Sequence, residues 1–279
     1  MNRLRYVTGL RNKLRAVVPR SVKYTLLADV IEFVIARTPF LDGGDEPPAF
    51  IEYGGGGFVS IGNELVQLMI ARAGLADEMA VVDVGCGIGR VAVAMSKRLR
   101  QIKYTGFDVV KYGILWCRKR FSALPDYRFV HANILNTFYN PRGSEAGSGY
   151  RFPVPDSTAD FVCATSVFTH LPAADVAHYL KETRRCMKRG GKAYFTVFIL
   201  DSESRARVDL GVTMFKFQHP HQGAFLETLE EPDLGVGYDK SAFEAMVAGA
   251  GLEVVAFYPG HWRKLPYEDA QDAYVLVKP

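Results

Sequence analysis

Short apolar segments alternate with longer amphipathic segments along most of this chain. Five apolar segments are candidate strands, at 81–84, 103–108, 127–133, 159–165 and 193–198. Between and after these strands, apolar residues recur at helical spacing. This spacing predicts helices at 88–97, 111–122, 174–188 and 240–250. Strands that alternate with helices form a mostly parallel sheet covered on both faces. The pattern therefore predicts a doubly wound α/β fold.

The first predicted strand leads into a turn rich in glycine. Residues 81–84 run into Gly85, Gly87 and Gly89, and a helix is predicted to begin at Ile88. Glycines accept a positive φ and let a ligand approach where a Cβ would collide. The first turn of the helix adds unpaired N–H groups beside them. This combination predicts a nucleotide-type site at the carboxyl end of the strand.

The residues around the turn narrow the class of ligand. The dinucleotide fingerprint needs a glycine at the sixth position counted from Gly85, and Arg90 stands there. No Gly-Lys-Ser/Thr run follows, which excludes a P-loop. Asp83 would place a carboxylate in the ligand crevice, where a cationic group is favoured over a polyphosphate. The alternative is an ordinary strand–turn–helix corner whose glycines serve packing alone.

The segment from Val82 to Gly89 resembles the first signature of the class I S-adenosylmethionine-dependent methyltransferase family. Later elements follow that family's order too, since a second strand ends on Asp108 and Gly190–Gly191 turns into a fifth strand. The resemblance implies S-adenosyl-L-methionine as the cofactor. It implies these cofactor-binding residues: Asp83, Gly85, Cys86, Gly87, Gly89, Asp108, Val109, Asn133, Ile134 and Thr165.

Two of these positions carry specific expectations. A carboxylate at Asp108 can accept two hydrogen bonds from a ribose diol, and it can also cap the helix that follows. Asn133 stands where the family usually has an Asp that meets the adenine amino group. Its amide keeps an acceptor oxygen, so the same role is expected of it.

The resemblance also implies the topology. The family has seven strands in the order 3-2-1-4-5-7-6, of which the last is antiparallel. In this chain the C-terminal pair would be 253–258 and 273–278. The expected fold is a doubly wound, seven-stranded, mostly parallel sheet with an N-terminal helical extension.

The chain divides into two predicted parts. Residues 1–62 would form a basic helical arm and a glycine-rich lid. The lid is expected at 53–62, because four consecutive glycines there do not favour one conformation without a partner, and it would order over the bound cofactor. An ordinary linker is the alternative for that segment. Residues 63–279 would form the methyltransferase domain, in which the long insertion 200–239 would cover the substrate.

Charge is concentrated at the N-terminus. Residues 1–23 hold seven basic side chains and no acidic one, which leaves 27 basic against 30 acidic residues in the rest. The body therefore lacks the basic excess of a nucleic-acid-binding surface. Apolar residues at roughly helical spacing in the arm favour docking on its own domain or self-association, and a weak contact with an anionic membrane surface is the alternative.

Targeting signals are not evident. No apolar run approaches the ~20 residues of a membrane span. The N-terminal sequence lacks the apolar core and cleavage site of a signal peptide. We therefore expect a cytoplasmic protein, with attachment to the inner membrane surface through the arm as the further option.

Cysteine and histidine spacing gives no sign of a metal site. His219 and His221 lack accompanying thiols or acids at ligand spacing. The cysteines show no C-x-x-C spacing and are expected to be small core residues in a reducing compartment: Cys86, Cys117, Cys163 and Cys186.

His170 is the candidate catalytic residue. It follows the fourth strand at the crevice, and a hydroxyl acceptor needs a base with a pKa near the working pH. The alternative is a structural histidine that braces the crevice. The run from Ala164 to Phe168 lacks the Asp/Asn-Pro-Pro-Tyr sequence of amino-methylating DNA enzymes, and no cysteine follows a proline, so DNA is not an expected partner.

The leading interpretation is methyl transfer to a small-molecule acceptor. The expected acceptor is a hydroxyl of a sugar, a lipid-linked compound or a secondary metabolite. An N-methyltransferase for a protein or small amine is the closest alternative. A non-catalytic partner protein with a vestigial site is the alternative from another class.

Overall fold

The computed structural model describes residues 29–35, 37, 44, 46–48, 51, 57–137 and 139–279. Residues 29–35 are helical, and Ile31 and Ile35 pack into a cluster with Trp116. The predictions for the basic arm at 1–23, and for the first three of the four consecutive glycines, fall outside the described residues.

The described residues contain one large sheet. Its strands are β1 (Ala80–Val84), β2 (Lys103–Asp108), β3 (Tyr127–His131), β4 (Ala159–Ala164), β5 (Met187–Leu200), β6 (His219–His221), β7 (Ala224–Leu226), β8 (Val236–Asp239), β9 (Glu253–Tyr258) and β10 (Asp272–Val277). The main body has the order β3-β2-β1-β4-β5-β10-β9, with β10 antiparallel to both of its neighbours. This arrangement confirms the predicted fold class and the predicted C-terminal pair.

The sheet has three strands beyond the predicted seven. β5 is 14 residues long, and β10 pairs with residues 192–197 of it. The last three residues of β5, Phe198–Leu200, therefore pair with β8, which pairs in turn with the short hairpin of β6 and β7. The insertion 200–239 thus extends the sheet. Strands of three or four residues are too short to show a period in the sequence, which is why the predicted count was too low.

The helices lie on both faces of the sheet. They are α1 (Phe58–Ala73), α2 (Arg90–Arg98), α3 (Lys111–Arg120), α4 (Ala173–Cys186), α5 (Ser202–Asp209) and α6 (Lys240–Gly249). Residues 58–62, which were predicted to be part of the lid, instead form the first turns of α1. Phe58 is buried there, and a Cβ at Gly62 would lie 2.6 Å from the carbonyl oxygen of Arg90, so this glycine lets α1 approach α2 closely.

The core has two main clusters, one on each face of the sheet. Val82 and Val84 of β1 belong to one cluster and Val81 to the other, as the alternation of side chains in a strand requires. All four cysteines are buried and free. Within the described residues, no helix combines the length and apolarity that crossing a bilayer requires.

Candidate functional site

A cavity of about 770 Å³ opens at the carboxyl ends of the central strands. Residues at the ends of β1, β2, β4 and β5 line it, together with residues of α1 and of the insertion. The strand order reverses between β1 and β4, and a doubly wound sheet binds its ligands at such a reversal. The glycine turn after β1 and the segment after β4 therefore face the same crevice.

The turn after β1 has the left-handed backbone that its glycines permit. Gly85, Gly87 and Gly89 have φ angles of 69°, 57° and 81°. A Cβ at Gly85 would lie 2.4 Å from Cγ2 of Val167, so any larger residue would collide with the segment after β4. The Gly85 N–H donates to the carbonyl of Phe107 at 2.9 Å, which ties the turn to β2.

Asp83 lies below the turn and is 1% exposed. The Tyr104 hydroxyl donates to its Oδ2, whereas Oδ1 is buried without a hydrogen-bond partner among the described residues. Burial raises the pKa of Asp83 to about 7, against the opposing effects of Tyr104 and the nearby Cys163 thiol. Asp83 thus places a buried carboxyl group in the cavity wall, directly below the turn.

Asp108 ends β2 beside the same turn. Its Oδ2 accepts the Gly87 N–H and its Oδ1 accepts the Val110 N–H, both at 2.8 Å. Burial raises its pKa to about 6, and these backbone donors oppose that rise. Each carboxylate oxygen keeps a further lone pair, so the two backbone bonds orient the group and leave acceptor capacity toward the cavity. The helix-cap role is not seen, because α3 begins after Val110 without a side-chain cap.

The structure brings nine of the eleven predicted site residues to the cavity wall. These are Asp83, Gly85, Cys86, Gly87, Asp108, Val109, Ile134, Thr165 and His170. Gly89 and Asn133 do not line it. Gly89 precedes α2, where a Cβ would lie 2.9 Å from the Cys117 sulfur. Asn133 is exposed, and its Nδ2 donates to the Ser144 hydroxyl at 2.9 Å, away from the wall that its neighbours Ala132 and Ile134 line.

His170 ends a short 3₁₀ helix after β4 (Phe168–His170). Its Nδ1 lies 2.7 Å from the carbonyl oxygen of Asp233 in the insertion. A carbonyl oxygen only accepts, so this contact requires the proton on Nδ1 and leaves the lone pair on Nε2. Burial lowers the pKa of His170 below its usual 6.5. The imidazole is therefore neutral at pH 7 and able to accept a proton.

The cavity has two parts. We call one the turn half, formed by Asp83, Gly85, Cys86, Gly87, Asp108 and Val109. We call the other the β5 half, formed by Ile61, Leu65, Leu68, Ser166, Tyr194, Thr196, Phe198, Phe215, Asp269, Ala270 and Gln271. Six of these eleven residues are apolar and five are polar. Phe215 packs on Phe198 with ring centroids 4.7 Å apart.

The insertion 200–239 was predicted to cover the substrate, and its Phe215 lines the β5 half. The sequence interpretation missed the parts of this half that β5 and the segment before β10 provide. Tyr194, Thr196 and Phe198 alternate along β5 and so share one face, which is a period-2 signal that the sequence contains. The charge of Asp269 in this half is balanced by an ion pair with Arg72 of α1. The Tyr194 hydroxyl also donates to Asp269, at 3.5 Å.

Comparisons with known proteins agree with this architecture. A family model described as a methyltransferase domain matches residues 60–256. A fatty-acid O-methyltransferase from Mycolicibacterium smegmatis is 29% identical over 147 residues, which are 52% of this chain and 45% of that protein. The match thus spans less than half the length of this curated relative.

Two solved structures share the fold. A SAM-dependent methyltransferase from Methanosarcina mazei superposes with a TM-score of 0.51 at 16% identity, over 75% of this chain and 96% of that one. A protein from Pyrococcus horikoshii also gives a TM-score of 0.51 at 16% identity, over 77% of this chain and 88% of that one.

Proposed function

Because the chain belongs to the class I S-adenosylmethionine-dependent methyltransferase family, we propose that it methylates an oxygen atom of a small molecule with an apolar body. One observation supports this proposal above the others. A single cavity joins a turn half that suits a cationic nucleotide-like ligand to a β5 half that suits an apolar one. The two reactants would meet where these halves join.

The family implies S-adenosyl-L-methionine as the cofactor, which when bound supplies an electrophilic methyl group on a positively charged sulfur. The residues of the turn half fit this group. The Asp83 carboxylate would attract the cationic amino-acid part from below the turn. The free lone pairs of Asp108 would accept from the ribose hydroxyls. Gly85 and Gly87 keep the approach free of side chains.

The β5 half guides the choice of acceptor. Leu65, Phe198 and Phe215 would contact the apolar body of an acceptor. The polar side chains of the same half, such as Ser166, Thr196 and Gln271, would bind its oxygen-bearing group. The M. smegmatis relative is described as a fatty-acid O-methyltransferase. We therefore narrow the proposed acceptor to a lipid-like molecule that carries a hydroxyl or carboxyl group.

His170 would act as the base for a hydroxyl acceptor. The Asp233 carbonyl fixes the tautomer, and the lowered pKa keeps Nε2 unprotonated at neutral pH. A hydroxyl proton would pass to Nε2 as the oxygen attacks the methyl carbon. A carboxylate acceptor has no proton to lose, so it would not need His170 as a base.

The experiment that tests the proposal measures transfer of labelled methyl groups from S-adenosyl-L-methionine to dodecanol, dodecanoic acid and dodecylamine. We expect ester or ether formation by the wild-type chain. His170→Ala should lower the rate with dodecanol by about 10²–10⁴-fold and leave dodecanoic acid nearly unaffected. His221→Ala is the matched control, because His221 is exposed on β6 outside the cavity.

Two results would contradict the proposal. Transfer to dodecylamine alone would favour an N-methyltransferase. Absence of any S-adenosylhomocysteine binding in calorimetry would favour a non-catalytic partner protein.

A further inference from the structure

Ser166 and Gln271 meet in the β5 half, beside its junction with the turn half. Ser166 lies two residues after β4, and Gln271 immediately precedes β10. The Ser166 hydroxyl lies 3.1 Å from Oε1 of Gln271. Both residues line the cavity, and neither belongs to the cofactor residues described above.

The backbone of Ser166 is held in an unfavourable conformation next to the glycine turn. Its φ is 56°, in the left-handed region that residues with a side chain rarely adopt. Its N–H donates to the Thr196 hydroxyl on β5 at 2.7 Å. The next residue, Val167, contacts Gly85. Such strain persists only where the surroundings fix it, and it is concentrated at functional sites.

Gln271 is fixed through the residues around it. The next residue, Asp272, is completely buried and accepts hydrogen bonds from the Arg263 guanidinium (3.0 Å) and the Trp262 indole (2.9 Å). A Cβ at Gly260 would lie 2.3 Å from the carbonyl carbon of Gln271, so the two backbones are in direct contact. The amide of Gln271 therefore projects from a rigid segment.

The hydrogen-bond pattern leaves donors free in the cavity. The Ser166 hydroxyl donates to Oε1 of Gln271, and this orients the amide. Its Nε2 donates to no residue in the described part of the chain, so two N–H groups remain for a ligand. We infer that Gln271, oriented by Ser166, binds the reacting oxygen of the acceptor and so determines specificity for oxygen over nitrogen. This inference rests on the proposed function.

The chemistry of the transfer agrees with a donor at this position. One lone pair of the acceptor oxygen accepts from Nε2 of Gln271, and another is free to form the bond to the methyl carbon. With S-adenosyl-L-methionine bound, its carbon–sulfur bond would break as the new bond forms, and the electron pair would remain on sulfur. A carboxylate releases no proton in this step, whereas a hydroxyl releases one to His170.

Binding measurements test the inference without relying on turnover. Dodecanoic acid is titrated into the S-adenosylhomocysteine-saturated protein and its variants. Gln271→Glu removes both donors and adds a negative charge, so dodecanoic acid should bind about ten- to a hundredfold more weakly. Dodecylamine should bind more tightly to the same variant. The control is Gln67→Glu, an exposed position on α1 outside the cavity, which should change neither affinity.

Ser166→Ala and Ser166→Gly separate orientation from strain. Both remove the hydroxyl and should weaken dodecanoic acid binding by a few fold, whereas only the glycine variant relieves the positive φ and should raise Tm. Equal dodecanoic acid affinity for the wild type and Gln271→Glu would overturn the inference, as would no binding to either. Failure of the proposed function is seen separately, as absence of methyl transfer by a wild type that still shows the expected binding pattern.

Discussion

The two halves of the cavity are built in different ways. The turn half comes from two short stretches, at 83–87 and 108–109, which combine a glycine backbone with the carboxyl groups of Asp83 and Asp108. The β5 half combines α1, the β4 exit, the end of β5, the insertion and the segment before β10. The turn half is thus specified locally, whereas the β5 half depends on the assembled tertiary structure.

One buried ion-pair network holds the distant pieces of the β5 half together. Arg263 is 1% exposed and contacts Asp272 and Asp201 at 3.0 and 2.9 Å. Asp201 also caps α5, the first helix of the insertion, by accepting the N–H of Ser204. The network therefore links the segment that carries Gln271 to the insertion that carries Phe215.

The largest expected effect is in the turn half. Gly85→Ala adds a Cβ 2.4 Å from Val167 at a φ of 69°, so S-adenosylhomocysteine affinity measured by calorimetry should fall more than about a hundredfold. Gly190→Ala is the matched control, because Gly190 has a φ of 77° with no atom within 4 Å of the added Cβ. If both variants lost the same S-adenosylhomocysteine affinity, the loss at Gly85 would come from backbone strain and not from the collision with Val167.

Asp108→Ala should have the next largest effect. Losing hydrogen bonds to a charged group costs about 1.5–3 kcal/mol, which is roughly a ten- to hundredfold loss of S-adenosylhomocysteine affinity. The comparison variant is Asp126→Ala, an exposed carboxylate outside the cavity. Unchanged affinity in Asp108→Ala would place the ribose elsewhere and remove the basis for the turn half.

The sequence predicted the turn half far better than the β5 half. Asp83, the glycines and Asp108 are close in sequence to strand ends, and strand ends are what hydrophobic periodicity locates. Asn133 shows the limit of that approach. β3 ends two residues before it, and the Asn133 side chain donates to Ser144 instead of lining the cavity. Gln271 and Asp269 had no local signal, since their place in the wall follows from the buried Arg263 network.

Phe215→Ala should affect the β5 half alone. Removing part of the apolar wall should raise the KM for the apolar acceptor about tenfold, while S-adenosylhomocysteine affinity stays unchanged. Phe225→Ala is the control for general damage to the insertion, because Phe225 packs in the same cluster outside the cavity. A matching loss of cofactor affinity in Phe215→Ala would show that the two halves are not independent.

The smallest expected effect is a pH dependence confined to the turn half. Burial raises the pKa of Asp83 to about 7 and that of Asp108 to about 6. A cationic ligand prefers the ionised carboxylates, so S-adenosylhomocysteine affinity should rise about three- to tenfold between pH 5 and pH 7.5. Calorimetry across this range measures how the affinity for S-adenosylhomocysteine changes with pH. Asp83→Asn should remove the part of the increase near pH 7, because that part comes from ionisation of Asp83.

The free energy of unfolding of the ligand-free chain should fall as the pH rises, whereas the cofactor affinity should increase. The folded chain keeps protons on Asp83 and Asp108 that the unfolded chain, whose carboxyls titrate near 3.8, has already released. The free energy of unfolding should therefore fall as the pH rises from 4 to 7, and less steeply in Asp83→Asn. The affinity for dodecanol, which does not ionise, should change less over this range at fixed cofactor saturation. Burial raises the pKa of Asp269 in the β5 half, and its ion pair with Arg72 opposes that rise. A sloping acceptor affinity would mean that the turn-half carboxylates also bind the acceptor, and the division of the cavity would have to be redrawn.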